Sequence, residues 1–468
     1  MNLARWKRHR LLLLLLSLTL TGCGGETLSA TALAARRSLW LSRPQQALDQ
    51  LSESPPDKTA AGHYLRACAL EQLQRTEAAA AEAQLAIQAA PKNPKYQSYA
   101  LRLKLFDRDE SAIEPILKLH EENPSSAAIA LHAVYAFQAK HVKLRSEGKT
   151  RGARVQLQNA EASLKTALSL AAEIPECHRE LIGMAIWFEL PEQALTLVDA
   201  LLREEPDNVT FLEDRVKILL LAGNSTETIS TALKLYKLRG RTEPAAVEFA
   251  DILNRLPPTP AAFDQYDKLR EQFPSNLSIL LRHCWSIGKA GRVEEACQEL
   301  RRALDGQTDP RRRKTIAQSA IAIPLEMQSP QIAAAQLKTL RDEVGDPQML
   351  AYFEGQLAAQ QKNYTVAVEK MQAVVNAYRT DYTASEELAR SALGQIRRVL
   401  SDKNLAEQIR KAAELTLRRS GLDRFDELEL RQEARSLLNV LEDAGQTDRT
   451  PVPTEGPQVI INDINDRK

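Results

Sequence analysis

Gly148-Lys149-Thr150 has the residues with which a phosphate-binding loop ends, a lysine for the phosphates and a threonine hydroxyl for magnesium. Such a loop also needs a glycine five residues before Gly148, and position 143 is lysine. No strand pattern leads into it, so the triplet carries no phosphate chemistry. His178-Arg179-Glu180 lacks the second histidine one helical turn away that a zinc helix requires, and no Cys-x-x-Cys occurs. A Gly-x-Ser-x-Gly elbow is absent as well. The seven histidines are scattered, and His283 falls on the buried side of its helix pattern. The expectation is no catalytic residue, no metal, no cofactor and no small-molecule substrate: the chain is not an enzyme.

The elements around these residues are helical by composition. The chain has 468 residues, 44% apolar and 26% charged, with only 18 glycines. Ala, Leu, Glu, Gln and Arg dominate, and these side chains lose little freedom in a helix. One compact core is less economical at this length than a stack of local ones. Net charge is +1; residues 1–22 hold four of the 62 basic residues and no acid, leaving 58 against 61. That balance argues against a nucleic-acid partner, which needs a basic face.

Pro206 and Pro274 follow similar segments and stand 68 residues apart, twice 34. Small residues recur at matched places, among them Ala262, Ala296 and Ala367. A period near 34 filled by two amphipathic helices is the mark of a tetratricopeptide array. Tyr96, Tyr99, Ala100, Leu103, Ala112, Ile116, Leu119 and Pro124 fit the pattern W-x2-L-G-x2-Y…A-x3-F…A…P. His178, Leu181, Ile182, Ala185, Ala194, Val198, Leu201 and Pro206 repeat it, and weaker copies run on to Val374. Over residues 30–380 the chain resembles the tetratricopeptide-repeat family. The resemblance implies an all-α, right-handed superhelical solenoid of antiparallel helix pairs. The expected organisation is a leader at 1–22, a tether at 23–28, the array at 29–380, capping helices at 381–444 and a disordered tail at 445–468. The phase slips between Pro124 and Pro175. The surplus falls at 139–154, read as an extended helix pair with a basic loop around Gly148, for anionic headgroups, an acidic partner or solvent alone.

In this family the first helix of each pair lines the concave wall. The matching positions here are Gln97 and Leu101, Arg179 and Gly183, Glu213 and Lys217, Val247 and Asp251, Leu281 and Trp285, and Tyr352 and Gln356. The Lys and Asn pairs of the family's carboxylate clamps are missing. Trp187, Lys217, Leu220, Leu221, Trp285, Lys289 and Tyr352 instead form the candidate groove for a peptide or helix of another protein. The alternative is that they pack between repeats. Cys284 and Cys297 lie on facing helices of one repeat, either bridged, as an oxidising compartment permits, or packed as two thiols.

The amino terminus completes the reading. A basic stretch ending at Arg10 precedes the apolar run Leu11–Leu20, too short to span a bilayer. Leu20-Thr21-Gly22-Cys23 resembles the bacterial lipobox, which implies cleavage before Cys23 and its acylation. Gly24 stands where inner-membrane retention would favour Asp, so the resemblance implies the outer membrane, facing the periplasm. In a host with one membrane it implies the outer face of that membrane. The expected function is a membrane-anchored adaptor or scaffold for other envelope proteins. The alternative is an accessory subunit of polysaccharide or cell-wall export, for which aromatics at 5% offer few stacking platforms.

Overall fold

The computed structural model describes residues 28–53, 56–380, 385–402 and 405–419. Cys23, the part of the expected cap beyond 419 and the expected tail at 445–468 lie outside them. All regular structure among the described residues is helical. The helices are α1 (Ala30–Trp40), α2 (Pro44–Ser52), α3 (Ala60–Gln72), α4 (Thr76–Ala89), α5 (Pro94–Phe106), α6 (Ile113–Glu122), α7 (Ala127–Ser146) and α8 (Thr150–Ser169). They continue as α9 (His178–Trp187), α10 (Pro191–Glu204), α11 (Val209–Leu221), α12 (Ser225–Leu238), α13 (Glu243–Arg255), α14 (Pro260–Gln272) and α15 (Leu277–Lys289). The remainder are α16 (Val293–Asp305), α17 (Pro310–Glu326), α18 (Pro330–Val344), α19 (Pro347–Gln360), α20 (Tyr364–Thr380), α21 (Glu386–Leu400) and α22 (Glu407–Arg419).

The repeat is written in the backbone at both kinds of turn. Within most pairs the first helix ends at a residue in the left-handed conformation: Ser42, Gln74, Arg108, Gly148, Glu189, Gly223, Gly291, Gln328 and Lys362. The following N–H reaches back five residues along the chain to a carbonyl of the last turn, as in Arg75 to Leu70, Leu190 to Ala185 and Asn363 to Ala358. This is the Schellman closure, which satisfies carbonyls that the helix end leaves open. Glu189 and Gly223 are 34 residues apart, as are Gln328 and Lys362, while Gly223 and Gly291 are 68 apart. Between pairs, Pro91, Pro124, Pro206 and Pro274 stop one helix, and Asn93, Ser126, Asn208 and Asn276 cap the next. A proline cannot continue the helix, and the side-chain oxygen two residues later takes an N–H of the new first turn.

The chain divides into two compact units, with the boundary between His283 and Cys284 inside α15. In the first unit, residues 32–103 share one core around Tyr64, Tyr96 and Tyr99. A second core gathers Leu131, Leu164, Leu181, Val198 and Phe211, and a third Phe249, Tyr266 and Ile279. Tyr266 is fully buried, and its hydroxyl donates to the Ala250 carbonyl at 2.9 Å. The surplus residues of the phase slip form a long hairpin. Helices α7 and α8 have 20 residues each, against 13 and 10 in the preceding pair.

The second unit is likewise built of helix pairs. Helices α17 and α18 are a pair that the sequence pattern does not bring out, because it opens on Arg311-Arg312-Arg313 and carries Pro324 inside a helix. A shared core joins Val374, Val375 and Met371 of α20 to Ala389, Ala392, Leu393 and Ile396 of α21. Close crossing demands a small residue at Gly355. A β-carbon there would stand 2.8 Å from Met371 Cε and 3.2 Å from Lys370 Cβ. Gly355→Ala is expected to cost roughly 1–3 kcal/mol through overpacking, despite the better helix propensity of alanine. A urea midpoint at or above that of the wild type would contradict this.

Candidate functional site

The candidate groove residues fall on helices of both units. Trp187 ends α9, half-buried, with its ring edge-on to Phe188 at 4.3 Å. Lys217, Leu220 and Leu221 lie on α11, which packs against α9. Leu220 is half-buried against the core of Phe249 and Tyr266, Lys217 is exposed, and Leu221 is 45% exposed. Asp214, one turn before Lys217, is the nearest carboxylate to it at 3.7 Å. Burial pushes the Asp214 carboxyl above its ordinary range, against the pull of Arg179 and Lys217. In the second unit Trp285 is half-buried and Lys289 exposed on α15. Tyr352 is half-buried on α19, its hydroxyl accepting from Gln356 Nε2 at 2.9 Å.

Most polar wall positions are already occupied by the chain itself. Glu213 pairs with Arg239, which also reaches Glu248, and Asp251 pairs with Arg282. Gln97 donates to the Pro91 carbonyl at 2.6 Å. These contacts tie one hairpin to the next, so the wall offers fewer polar hooks to a guest than its sequence promises. Between α10 and α12 lies a shallow cleft of about 680 Å³, lined among others by Asp199, Leu212, Arg215 and Lys234. Arg215 is paired with Asp199 at 2.8 Å and Glu227 at 2.5 Å, and Lys234 with Asp207 at 2.9 Å. Arg215 and Lys234 are thereby compensated.

Sequence reasoning missed the residues that close the first unit on itself. Helix α1 packs against the turn at Pro175–Cys177. There the fully buried Glu176 side chain accepts from Arg36 at 2.6 Å and from Lys95 at 2.9 Å. Burial pushes the Glu176 carboxyl up, but Lys95 and Arg36 outweigh it and hold it at about 2. Trp40 Nε1 donates to His178 Nδ1 at 2.9 Å, and His178 Nε2 bonds the Ala171 carbonyl at 2.9 Å. The buried Arg102 guanidinium bridges Glu71 and Glu180 and lies over the Tyr99 ring. Burial works against its charge, and Glu180 with Glu71 more than restores it. The legible signal was a charged residue on the Tyr96, Tyr99 and Leu103 face of an amphipathic helix, where water is absent.

Cys284 on α15 and Cys297 on α16 are both buried. Cys297 meets α17. Pro324 has no N–H for the carbonyl four residues back, that of Ala320. The Cys297 thiol donates to that carbonyl at 3.6 Å. Burial pushes the thiol up to about 11, so it keeps its proton at neutral pH. Among the described residues no group of three or more His, Cys, Asp or Glu is placed to hold a metal ion.

Residues 325–382, spanning α18 to α20, match the family model described as tetratricopeptide repeat. No curated protein matches the sequence. Among solved structures, the chain is similar to Naa15/Naa10 bound to HypK-THB, at 14% identity over 84% of this chain and 74% of that one, with a TM-score of 0.32. It is similar to yeast Tom70 at 10% identity, over 81% and 91% of the two chains, with a TM-score of 0.28. With the P58(IPK) TPR domain the identity is 13%, over 80% and 99%, with a TM-score of 0.21. The family match thus lies on α18–α20, which are similar to a tetratricopeptide repeat.

Proposed function

We propose that this chain is a lipid-anchored adaptor of the bacterial cell envelope, which gathers other proteins on its helical repeats. The observation that carries the adaptor half is the surface at the ends of α9 and α11. Leu221 is 45% exposed, Lys217 is exposed and Trp187 keeps part of its ring accessible, while polar neighbours such as Glu213 are consumed by the stack. A large aromatic and an aliphatic side chain beside a lysine suit the apolar face of a partner's helix or peptide. The anchoring half rests on Leu11–Leu20 and Leu20-Thr21-Gly22-Cys23. Among the described residues no helix is long and apolar enough to cross a membrane. Acyl chains on Cys23 would supply the attachment, each buried CH₂ contributing about 0.8 kcal/mol. Gly24 after the cysteine favours the outer membrane, with the fold facing the periplasm.

The test is purification of the detergent-solubilised protein from its host membranes, as wild type and as Trp187→Ala with Leu221→Ala. The expected result is a stoichiometric protein partner with the wild type only, at unchanged helicity and melting. Equal recovery by both forms, or a variant that loses melting temperature together with its partner, refutes the surface. Cys23→Ser is expected to release the protein from the membrane fraction or to leave an uncleaved precursor. An acylated mass at Cys23 in the wild type is the matching observation, and its absence ends the anchoring half.

A further inference from the structure

The long hairpin of α7 and α8 has no part in the surface just described. Twenty residues of helix span roughly 30 Å, about 10 Å more than the neighbouring α5. Its far end is firmly built. Gly148 takes the left-handed turn, the Lys149 N–H closes on the Leu144 carbonyl at 2.8 Å, and His141 Nδ1 meets the Ala153 carbonyl at 2.8 Å. Six cations occupy residues 140–154, with Glu147 as the single acid. Lys140 pairs with Glu114, Lys143 with Glu110 and Lys149 with Glu147, each at 2.8 Å. Arg145, Arg151 and Arg154 are exposed and have no carboxylate partner among the described residues. Beside them Val142 is 52% and Val155 46% exposed.

We infer that this hairpin end is a contact site for an anionic lipid surface. Three uncompensated arginines on a convex end have no pocket in which to fit a defined carboxylate, so a broad negative surface is the better complement. Exposed valines among them enter the headgroup layer without uncovering any backbone polar group. Neighbouring acids neutralise the lysines and leave the arginines, whose guanidinium is the less strongly hydrated cation and forks onto phosphate oxygens. The inference builds on the anchored reading, since acyl chains at Cys23 would hold the fold near such a surface.

The experiment uses the chain from Gly24 onward, which keeps every helix of the described fold and has no acyl chain when made in a cytosol. Sedimentation with phosphatidylcholine vesicles is compared with vesicles of phosphatidylcholine and phosphatidylglycerol. Binding is expected only with the anionic lipid, and it is expected to fall in high salt as charge screening shortens the reach of the arginines. Each arginine near an anionic surface contributes about fivefold to partitioning, so Arg145→Gln, Arg151→Gln and Arg154→Gln together should lose on the order of a hundredfold. The same three changed to lysine should keep most of the binding, and both variants should melt as the wild type does. Equal binding to both vesicle types, no binding to either, or a triple glutamine variant that partitions like the wild type overturns the inference. So does retention on an acidic polypeptide such as polyglutamate without binding to vesicles. Failure to find acyl chains on Cys23 defeats the anchoring reading and leaves this result standing.

Discussion

Arg102→Met is expected to lower the unfolding free energy by about 3–5 kcal/mol, the loss associated with breaking a buried ion pair from one side. The guanidinium sits between Glu71 and Glu180, from different hairpins, and its side chain is only 3% exposed. Methionine fills much of the volume, so the packing loss is small and the electrostatic loss is isolated. What remains is two carboxylates facing each other, with Glu71 also accepting from the Tyr99 hydroxyl at 2.8 Å. The check is a triple variant, Arg102→Met with Glu71→Gln and Glu180→Gln. It is expected to recover most of the loss, because neutral amides remove the repulsion and tolerate the drier surroundings. Urea midpoints measure both. A single variant within about 0.5 kcal/mol of the wild type would show that the network does not hold the first unit together.

Glu176→Gln is expected to cost about 3 kcal/mol at pH 7, and the cost is expected to disappear in acid. The folded carboxyl sits at about 2 against an ordinary 4.5. At 1.36 kcal/mol per pH unit that interval corresponds to about 3 kcal/mol. The sign follows from proton uptake. Below the ordinary value the unfolded chain binds a proton at this position that the folded chain refuses, so stability falls between about pH 4.5 and 2. Glutamine has no such proton to bind, and the two stability curves should converge toward pH 2. Histidines act in an earlier window. His132 and His178 are buried, and burial holds both imidazoles below the ordinary 6.5. Protonating His178 would also set a new N–H against Trp40 Nε1–H. Both proteins should therefore weaken as pH falls below about 6.5, the variant slightly more, because it lacks the Glu176 charge that favours the His178 imidazolium. A constant gap from pH 7 to 2.5 would contradict the assignment.

The helices, their caps and their period were legible because each is set by residues a few positions apart. A proline that ends one helix and an asparagine or serine two places later need no distant partner. Small residues at Ala112, Ala262, Ala296 and Ala367 likewise announced the crossings, and all four are buried. Helices α17 and α18 escaped notice since Pro324 and the three arginines break the local pattern while tertiary packing restores it. On the candidate surface, Trp187, Lys217, Leu220 and Leu221 could be placed on two helices by period alone. That Glu213 and Asp251 are taken up by arginines was not readable, because Arg239 and Arg282 lie 26 and 31 residues further on.

The thiols show the same division. Spacing put Cys284 and Cys297 on facing helices and left a bridge or two packed thiols as the alternatives. The Ala320 carbonyl, orphaned by Pro324, is the partner that gives Cys297 a use for its proton. By itself the sequence determined an all-helical chain of repeating pairs, the place where the phase slips, and the basic character of the long hairpin. These follow from local propensity, turn chemistry and periodicity. Only the tertiary structure decided that α1 folds back on the turn at 175–177, and that Glu176 and Arg102 are sealed in ion networks across 78 to 140 residues of chain. A charge can be buried only where its counter-charge arrives from another element, and that meeting is a property of the packed stack rather than of any stretch of sequence.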